Sequence, residues 1–374
     1  MAVPSAFRHY LHAGLDAPIC LTWELTYGCN LACTHCLSSS GRRDPNELTT
    51  AEAHALLAEL SSLGIFYINI GGGEPTYRKD FLEIVDDAVE RRIGIKFSTN
   101  GTFLTEDLAR RIAKTDYLDV QISIDGHDAA SNDVIRGAGS FERALRAMSM
   151  LKDAGAQGFK ISVVVTRHSV EHLDALNALA ESYGASLRLT RLRPSGRGAI
   201  TWDDLKIAPH QQRQLYQWLL THRNVLTGDS FFHLGGFGEE LDGLNLCGAG
   251  KVVCLIDPKG DVYACPFTIH PDFLAGSLRS ASFQSIWKDS PLFQRLRAAD
   301  GPVSCSSCSA YQTCHGGCLA AKFFSGLAYD DPDPECVMGR SSSLLAGEPS
   351  RRSPDLSHSA KLTIGPSRVR SRSR

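Results

Sequence analysis

The chain has 374 residues, of which 43% are hydrophobic and 21% are charged, and its formal net charge is −2. This is the composition of an ordinary globular protein, and the charge gives no global signal for nucleic-acid binding. No apolar run reaches the ~18 residues needed to span a membrane, and no secretory signal begins the chain. We therefore expect a soluble protein of the reducing cytoplasm.

Short apolar runs alternate with longer segments whose apolar residues recur at helical spacing. The runs predict strands at residues 19–24, 65–70, 93–98, 118–124, 159–165 and 187–192. The segments between them predict helices, among them 50–62, 80–91 and 141–153, with Thr49 or Thr50 and Thr105 as N-caps. Six such β-α repeats imply an α/β fold with a parallel sheet, in the form of an open or partial (β/α)6 barrel. Ligands of such folds gather at the carboxyl ends of the strands.

Three cysteines, Cys29, Cys33 and Cys36, follow the first predicted strand within eight residues. A closed structural zinc site needs four ligands, whereas an iron-sulfur cubane held by three thiolates keeps one iron free for a substrate or cofactor. The spacing therefore favours a cluster with an open iron. The alternative is a zinc site completed by His35 or by a distant ligand.

Polar and glycine-rich segments follow the next three strands. The second strand is followed by Gly71-Gly72-Gly73-Glu74, the third by Thr99-Asn100-Gly101, and the fourth by Ser123 to Gly126 and then Arg136. A glycine run lets the backbone approach a ligand closely, and an adjacent carboxylate can accept hydrogen bonds from an ammonium group. Tight turns explain each of these segments about equally well when it is taken alone.

A second group of eight cysteines lies between residues 247 and 336 and makes two complete sets of four ligands. Its members are Cys247, Cys254, Cys265, Cys305, Cys308, Cys314, Cys318 and Cys336. Two zinc ribbons use thiolates in the same way, so this group alone leaves zinc and iron-sulfur clusters open. Asp257 and Asp261 flank a turn here as possible proton-transfer groups, although turn formation is the commoner role. We expect the remaining cysteine, Cys20, to be a small core residue.

The rest of the chain divides by composition. We expect an N-terminal arm at 1–18, the barrel at 19–200, a bridging region at 201–245 with a helix at 210–222, and a cysteine-rich domain at 246–338. A helical linker at 276–296 has Phe283, Trp287 and Phe293 as core anchors. Residues 340–374 hold eight Lys or Arg and two Asp or Glu. This composition predicts that residues 339–374 form a disordered basic Ser/Arg-rich tail, with RNA binding as the alternative.

Taken together, these motifs resemble a known family. The three-cysteine spacing with the Gly-Gly-Glu segment resembles radical S-adenosylmethionine (SAM) enzymes, with His35 at a position usually filled by an aromatic. The eight later cysteines resemble the SPASM extension of such enzymes, a C-terminal domain with two auxiliary iron-sulfur clusters. Residues 21–43, 67–76 and 96–101 look very like mycofactocin radical SAM maturases, and the likeness covers about residues 15 to 338.

The resemblance implies SAM and three 4Fe-4S clusters as cofactors. The SAM-binding cluster would be held by Cys29, Cys33 and Cys36, and the auxiliary clusters by Cys247, Cys254, Cys265 and Cys318 and by Cys305, Cys308, Cys314 and Cys336. The SAM contacts carried over are Gly72, Gly73, Glu74, Thr99, Asn100, Ser123 and Arg136. No catalytic acid or base is identified.

The resemblance also implies an activity. The enzyme would oxidatively decarboxylate the C-terminal Tyr of a small precursor peptide ending in Val-Tyr and then join the two residues by a carbon-carbon bond. Each step would begin with hydrogen abstraction by a 5'-deoxyadenosyl radical, and an auxiliary cluster would accept the electron of the oxidative step. A reductase, flavodoxin or ferredoxin would supply electrons. About 18 residues precede the first strand, so we expect a separate small chaperone to bind the peptide's leader by strand addition.

Other interpretations remain open from the sequence. The same cluster plan serves thioether-forming, sulfatase-maturing and quinone-cofactor maturases, which differ in the mass of the peptide product. From a different class, the cysteines could staple a binding scaffold with zinc, which is colourless where an iron-sulfur protein is brown.

Overall fold

The computed structural model describes residues 15–227, 231–239, 241, 247–299, 301–346, 353 and 357. Most of the predicted N-terminal arm and most of the predicted tail lie outside these residues, as do parts of the bridging region. In the described part of the chain, no helix combines the length and hydrophobicity that crossing a membrane requires.

The strands form one sheet that runs through both halves of the chain. The described residues form nine strands: β1 (Cys20–Thr26), β2 (Tyr67–Gly72), β3 (Gly94–Thr99), β4 (Leu118–Ser123), β5 (Lys160–Val165), β6 (Ser186–Arg191), β7 (Val253–Ile256), β8 (Asp261–Tyr263) and β9 (Leu274–Ser277). Their order in the sheet is β6-β5-β4-β3-β2-β1-β7-β8-β9, and β1 to β6 are parallel. The six predicted strands and the (β/α)6 plan are confirmed, with strand ends moved by at most two residues.

Helices lie between the parallel strands in the first half of the chain, and further helices follow β6. In chain order they are α1 (Thr50–Ser62), α2 (Phe81–Glu90), α3 (Glu106–Lys114), α4 (Ala129–Arg136), α5 (Ser140–Asp153), α6 (Leu173–Ser182), α7 (Trp202–Leu205), α8 (Pro209–Thr221), α9 (Phe283–Asp289), α10 (Pro291–Ala298), α11 (Tyr311–Cys314), α12 (Leu319–Phe324) and α13 (Ser342–Leu345). Side-chain N-caps fix the first residue of several of these helices. Thr49 caps α1 in a reciprocal capping box with Glu52, and Thr105 caps α3 by accepting from the Leu108 N–H.

The cysteine-rich domain extends the sheet of the barrel, which the sequence did not predict. β7 pairs in parallel with β1, and β8 and β9 follow as antiparallel neighbours. These strands have only four, three and four residues, too few for a periodic pattern to reveal. The shared sheet fixes the second cysteine group relative to the first.

The predicted linker helices, α9 and α10, cover the outer side of this extension. Phe283, Trp287 and Phe293 are almost completely buried, which confirms them as core residues. The Trp287 indole N–H donates to the Leu15 carbonyl at 2.8 Å, and the Arg297 guanidinium lies 4.4 Å from the Trp287 ring. The linker therefore also anchors the segment that leads into β1.

Candidate active site

A cavity of about 930 Å³ fills the interior of the barrel and brings two cysteine groups to one space. Cys29, Cys33 and Cys36 line it after β1, and the cysteine-rich domain contributes three further thiols, from Cys247, Cys265 and Cys318. Among the described residues, no three His, Cys, Asp or Glu side chains form a group suited to a single metal ion. Cys29, Cys33 and Cys36 instead share the wall of one cavity, which has room for an iron-sulfur cluster larger than a single ion.

The first cysteine loop is held by backbone contacts and by one buried arginine. Arg197, which is 1% exposed, donates from Nε to the Cys33 carbonyl at 2.8 Å and from a terminal nitrogen to the Ser40 carbonyl at 2.7 Å. Its own backbone N–H donates to the Cys36 carbonyl at 2.9 Å. Sequence reasoning missed Arg197, and the only signal was its position between two glycines after β6. Gly196 has a φ of +54°, and a Cβ there would lie 2.3 Å from the Leu37 carbonyl oxygen.

Burial opposes ionisation of these thiols. It raises the pKa of Cys29 to about 12 and that of Cys33 to about 11. A cationic cluster of iron overcomes this penalty because a metal binds the thiolate and releases its proton. The loop thus has the donor chemistry of a three-thiolate cluster site.

Glu74 is buried beside this loop and is held by four hydrogen bonds. One carboxylate oxygen accepts from the hydroxyls of Thr99 at 2.7 Å and Thr76 at 2.5 Å and from the Thr76 N–H at 3.3 Å. The other accepts from the Asn100 N–H at 2.7 Å. Burial raises the pKa of Glu74, and these donors act against it. The carboxylate lines the cavity, where it suits an ammonium partner.

The adjacent glycines are required by close backbone packing against the cysteine loop. Gly72 has a φ of +105°, and the Gly73 N–H donates to the Thr26 carbonyl at 2.7 Å. A Cβ at Gly73 would lie 2.1 Å from the Gly28 carbonyl oxygen, whereas one at Gly71 would meet nothing within 4 Å.

We therefore expect Gly73→Ala to displace the loop that carries the first three cysteines. The protein should lose about a third of its iron, because one of three equal clusters would be lost. Iron per chain after anaerobic reconstitution measures this. Gly71→Ala is the matched control and should retain the wild-type iron content, since its added methyl enters open space. Equal iron in both variants would contradict the packing role of Gly73.

Asn100, Ser123 and Arg136 also line the cavity, as do Gly72, Gly73, Glu74 and Thr99. Arg136 forms an ion pair with Asp125 at 2.6 Å, and the same carboxylate oxygen contacts His35 Nε2 at 2.5 Å. Burial disfavours the charge on Asp125, but the Arg136 charge and the contact with His35 outweigh it and hold the pKa of Asp125 well below the usual range. His35 thus ties the first cysteine loop to the end of β4 and to α4.

A second, smaller cavity gathers four of the later cysteines. Cys305, Cys308, Cys314 and Cys336 all line it, together with His233 and Asp333. Both ring nitrogens of His233 are buried without a hydrogen-bond partner among the described residues. Burial also lowers the pKa of His233, which favours the neutral ring. Four thiols around one buried space fit the predicted second auxiliary cluster.

The other predicted set of four is brought together only in part. Cys247, Cys265 and Cys318 line the central cavity and act on one another electrostatically. Cys254 does not line that cavity, and its charged neighbours are Cys20 and Arg297. The structure therefore does not place Cys254 with the other three, because β7 turns its side chain to the opposite face of the sheet.

Asp257 and Asp261 act in the turn between β7 and β8. Asp257 accepts from the backbone N–H groups of Lys259 and Asp261 at 2.9 and 2.8 Å and from the Tyr27 hydroxyl at 2.6 Å. Burial raises the pKa of Asp257 to about 6. Neither carboxylate lines the central cavity, so the turn-forming interpretation is the one that the geometry supports.

An ion cluster joins the barrel to the cysteine-rich domain, and sequence reasoning missed it. Arg191 at the end of β6 donates to both carboxylate oxygens of Asp333, at 2.9 and 2.5 Å, and to Glu335 at 2.7 Å. Asp333 in turn accepts from the Cys318 N–H at 2.8 Å. The neighbouring Arg193 donates to Cys318 Sγ at 3.3 Å. The end of β6 therefore contacts Cys318 of one cysteine set and Asp333, which lines the cavity of the other set.

The fold and these cysteine-lined cavities define a radical SAM enzyme with a C-terminal iron-sulfur extension. The chain matches the Radical SAM superfamily over residues 23–180 and the SPASM iron-sulfur cluster-binding domain over residues 247–314. It is 57% identical to the mycofactocin maturase MftC of Mycolicibacterium smegmatis, over 94% of this chain and 91% of that protein. It is 58% identical to MftC of Mycobacterium tuberculosis, over 92% and 90%. The chain belongs to the mycofactocin maturase family.

Solved structures agree with the fold. The structure of SuiB from Streptococcus suis bound to precursor peptide SuiA superposes with a TM-score of 0.74 at 20% identity, covering 88% of this chain and 78% of SuiB. The predicted barrel with a SPASM domain and the predicted family are confirmed. The two domains imply SAM and iron-sulfur clusters as cofactors.

Proposed function

We propose that the enzyme oxidatively decarboxylates the C-terminal Tyr of a precursor peptide ending in Val-Tyr and then forms a carbon-carbon bond between the two residues. The family membership supports this proposal most directly, because the chain is 57% identical to one mycofactocin maturase over 94% of its length. The size and position of the central cavity are consistent with this reaction. It is large enough for a peptide end, and thiols of both halves of the chain line it.

The chain's own residues would position the cofactors. We propose Cys29, Cys33 and Cys36 as ligands of the SAM-binding cluster, which when reduced supplies the electron that cleaves SAM to methionine and a hydrogen-abstracting 5'-deoxyadenosyl radical. Glu74 would bind the SAM ammonium group. Thr99, Asn100, Ser123 and Arg136 line the same side of the cavity and would hold the ribose and carboxylate, with Gly72 and Gly73 giving the backbone access.

Two further clusters complete the proposed set of three. Cys305, Cys308, Cys314 and Cys336 would hold the outer auxiliary cluster, and Cys247, Cys265 and Cys318 would contribute to the inner one. Clusters at these positions would supply an acceptor for the electron that the oxidative step releases. We expect all three to be 4Fe-4S clusters.

Cations inside the barrel favour a substrate that ends in a carboxylate. Lys96, Lys160 and Arg188 line the cavity near the amino ends of their strands, and the carboxylate among them is Asp119, which pairs with Lys160. Burial and the charge of Arg188 lower the pKa of Lys96 to about 8, with Asp119 and Cys20 acting in the opposite direction. A peptide carboxylate would offset part of the positive charge that remains on this cluster.

Lys96→Met is therefore expected to weaken binding of the precursor peptide about 10-fold, the effect of losing one charge-assisted hydrogen bond. Because only the protonated amine binds the carboxylate, affinity in the wild type should be highest below pH 8 and should fall as the pH rises above it. Fluorescence anisotropy of a labelled peptide measures both effects. Lys288→Met on the surface is the control. A peptide ending in a carboxamide should bind Lys96→Met and wild type equally, and any other pattern would contradict this carboxylate site.

The reaction itself is tested by the mass of the product. With reductant, SAM and a peptide ending in Val-Tyr, we expect a product that has lost carbon dioxide and two hydrogens, followed by a product of the same mass that is crosslinked. The carboxamide peptide should form neither. A thioether, a formylglycine or an unchanged peptide mass would instead assign the enzyme to another class of SPASM maturase.

The proposed partners are the precursor peptide, a reductase or a flavodoxin or ferredoxin as electron donor, and a small leader-binding protein, all in the cytoplasm. Omitting the leader-binding protein from the assay should reduce turnover strongly. Full processing by the purified enzyme and a chemical reductant alone would show that no such protein is needed.

A further inference from the structure

We propose that the inner auxiliary cluster is held by only three protein thiolates, from Cys247, Cys265 and Cys318, and that Cys254 is a core residue. One iron of that cluster is then left for a small anionic donor that enters from the central cavity. This inference rests on the proposed function in one respect only, that a 4Fe-4S cluster occupies this cysteine set.

The register of β7 against β1 determines the direction in which Cys254 points. Side chains alternate between the two faces of a strand, and Val253, the residue before Cys254, lines the cavity. Cys254 lies opposite Leu21 of the neighbouring strand β1. On β1 it is Cys20 and Thr22 that line the cavity, while Leu21 is fully buried in the core. Cys254 therefore points to the helix-bearing face of the sheet.

The surroundings of Cys254 agree with this orientation. The residue is fully buried, and its charged neighbour from the helical layer is Arg297 of α10. Arg297 is itself held in place, because it donates to the Gly250 carbonyl at 2.9 Å and lies over the Trp287 ring. Bringing Cys254 to the cavity would require a slip of β7 by one residue. That slip would reverse every side chain along the four pairs that join β7 to β1.

The three remaining thiols face the barrel interior, next to a fixed cation. Arg193 lines the cavity, donates to Cys318 Sγ at 3.3 Å and lies 3.8 Å from the Phe267 ring. A guanidinium at this position favours an anion over a neutral donor at the fourth iron. The ligand class is therefore a small anion.

The test uses cyanide as the anionic ligand. It is done in a variant without the SAM-binding cluster, because that cluster also has an open iron. The full-length variant Cys29→Ala/Cys33→Ala/Cys36→Ala removes the SAM-binding cluster and should retain about eight irons, two clusters of four. We would record electron paramagnetic resonance spectra of the dithionite-reduced protein with and without 13C-labelled cyanide. One of the two cluster signals should shift and show carbon-13 hyperfine coupling. Adding Cys254→Val, which fills the core without a donor atom, should leave this response and the iron content unchanged.

Each possible result of this experiment either supports or contradicts the proposal. A cyanide response that arises only after Cys254→Val would show that Cys254 is the fourth ligand, and the absence of any response in both proteins would exclude an accessible iron. The response of the background protein is decisive even if Cys254→Val does not fold. Loss of all iron from the background would instead contradict the proposed function, because no auxiliary cluster would be present.

Discussion

Glu74→Gln is expected to weaken SAM binding about 10- to 100-fold, since a charge-assisted hydrogen bond contributes about 1.5–3 kcal/mol. The local structure should persist. The Gln carbonyl can still accept from the Asn100 N–H, and its amide can donate to the hydroxyls of Thr76 and Thr99. The substitution thus removes the negative charge and the acceptor of the 3.3 Å hydrogen bond from the Thr76 N–H.

Equilibrium dialysis with labelled SAM and the rate of 5'-deoxyadenosine formation measure the effect of Glu74→Gln. The iron content should equal that of the wild type, because the hydrogen bonds of the Glu74 carboxylate come from Thr76, Thr99 and Asn100 and not from a cysteine. Glu142→Gln, at an exposed position on α5, is the matched control. Wild-type affinity in Glu74→Gln would show that this carboxylate does not bind the SAM ammonium group.

Arg191→Met is expected to destabilise the protein by about 3–5 kcal/mol, the usual cost of removing one partner from a buried ion cluster. Burial opposes ionisation of Asp333, but the Arg191 charge outweighs it and holds the pKa of Asp333 well below its usual range. Without Arg191, Asp333 and Glu335 would be two buried carboxylates with no cation between them. Because Asp333 also accepts from the Cys318 N–H, auxiliary iron should be lost as well.

Urea unfolding of the anaerobically reconstituted protein, with iron analysis, measures this cost. Arg110→Met is the control, because Arg110 pairs with Glu106 and Asp107 at the surface, where water and salt screen an ion pair and its loss has little effect on stability. Similar unfolding midpoints for the two variants would mean that the Arg191 cluster does not hold the two halves of the chain together.

Features set by neighbouring residues could be predicted from the sequence. The capping box of Thr49 and Glu52 fixes the start of α1. Short apolar runs between segments of helical periodicity indicate the six parallel strands. The spacing of Cys29, Cys33 and Cys36 likewise indicated their shared loop. In these cases the residues that act together lie within a few positions of one another along the chain.

Features set by distant residues could not be predicted in the same way. Arg191 and Asp333 are 142 positions apart, and Arg197 is 164 positions from the Cys33 carbonyl that it binds. No local pattern indicates such contacts. The position of Cys254 was missed for a related reason. A count of eight cysteines implies two sets of four, but the face on which a strand residue lies depends on register, here with β1.

Iron and sulfide per chain, measured together with SAM cleavage, test the central claim most directly. The protein would be purified without oxygen, reconstituted, reduced and given SAM and the Val-Tyr precursor peptide. We predict about twelve irons per chain, three clusters of four, with formation of 5'-deoxyadenosine and a decarboxylated peptide. Bound zinc, or iron without SAM cleavage, would contradict a three-cluster radical enzyme.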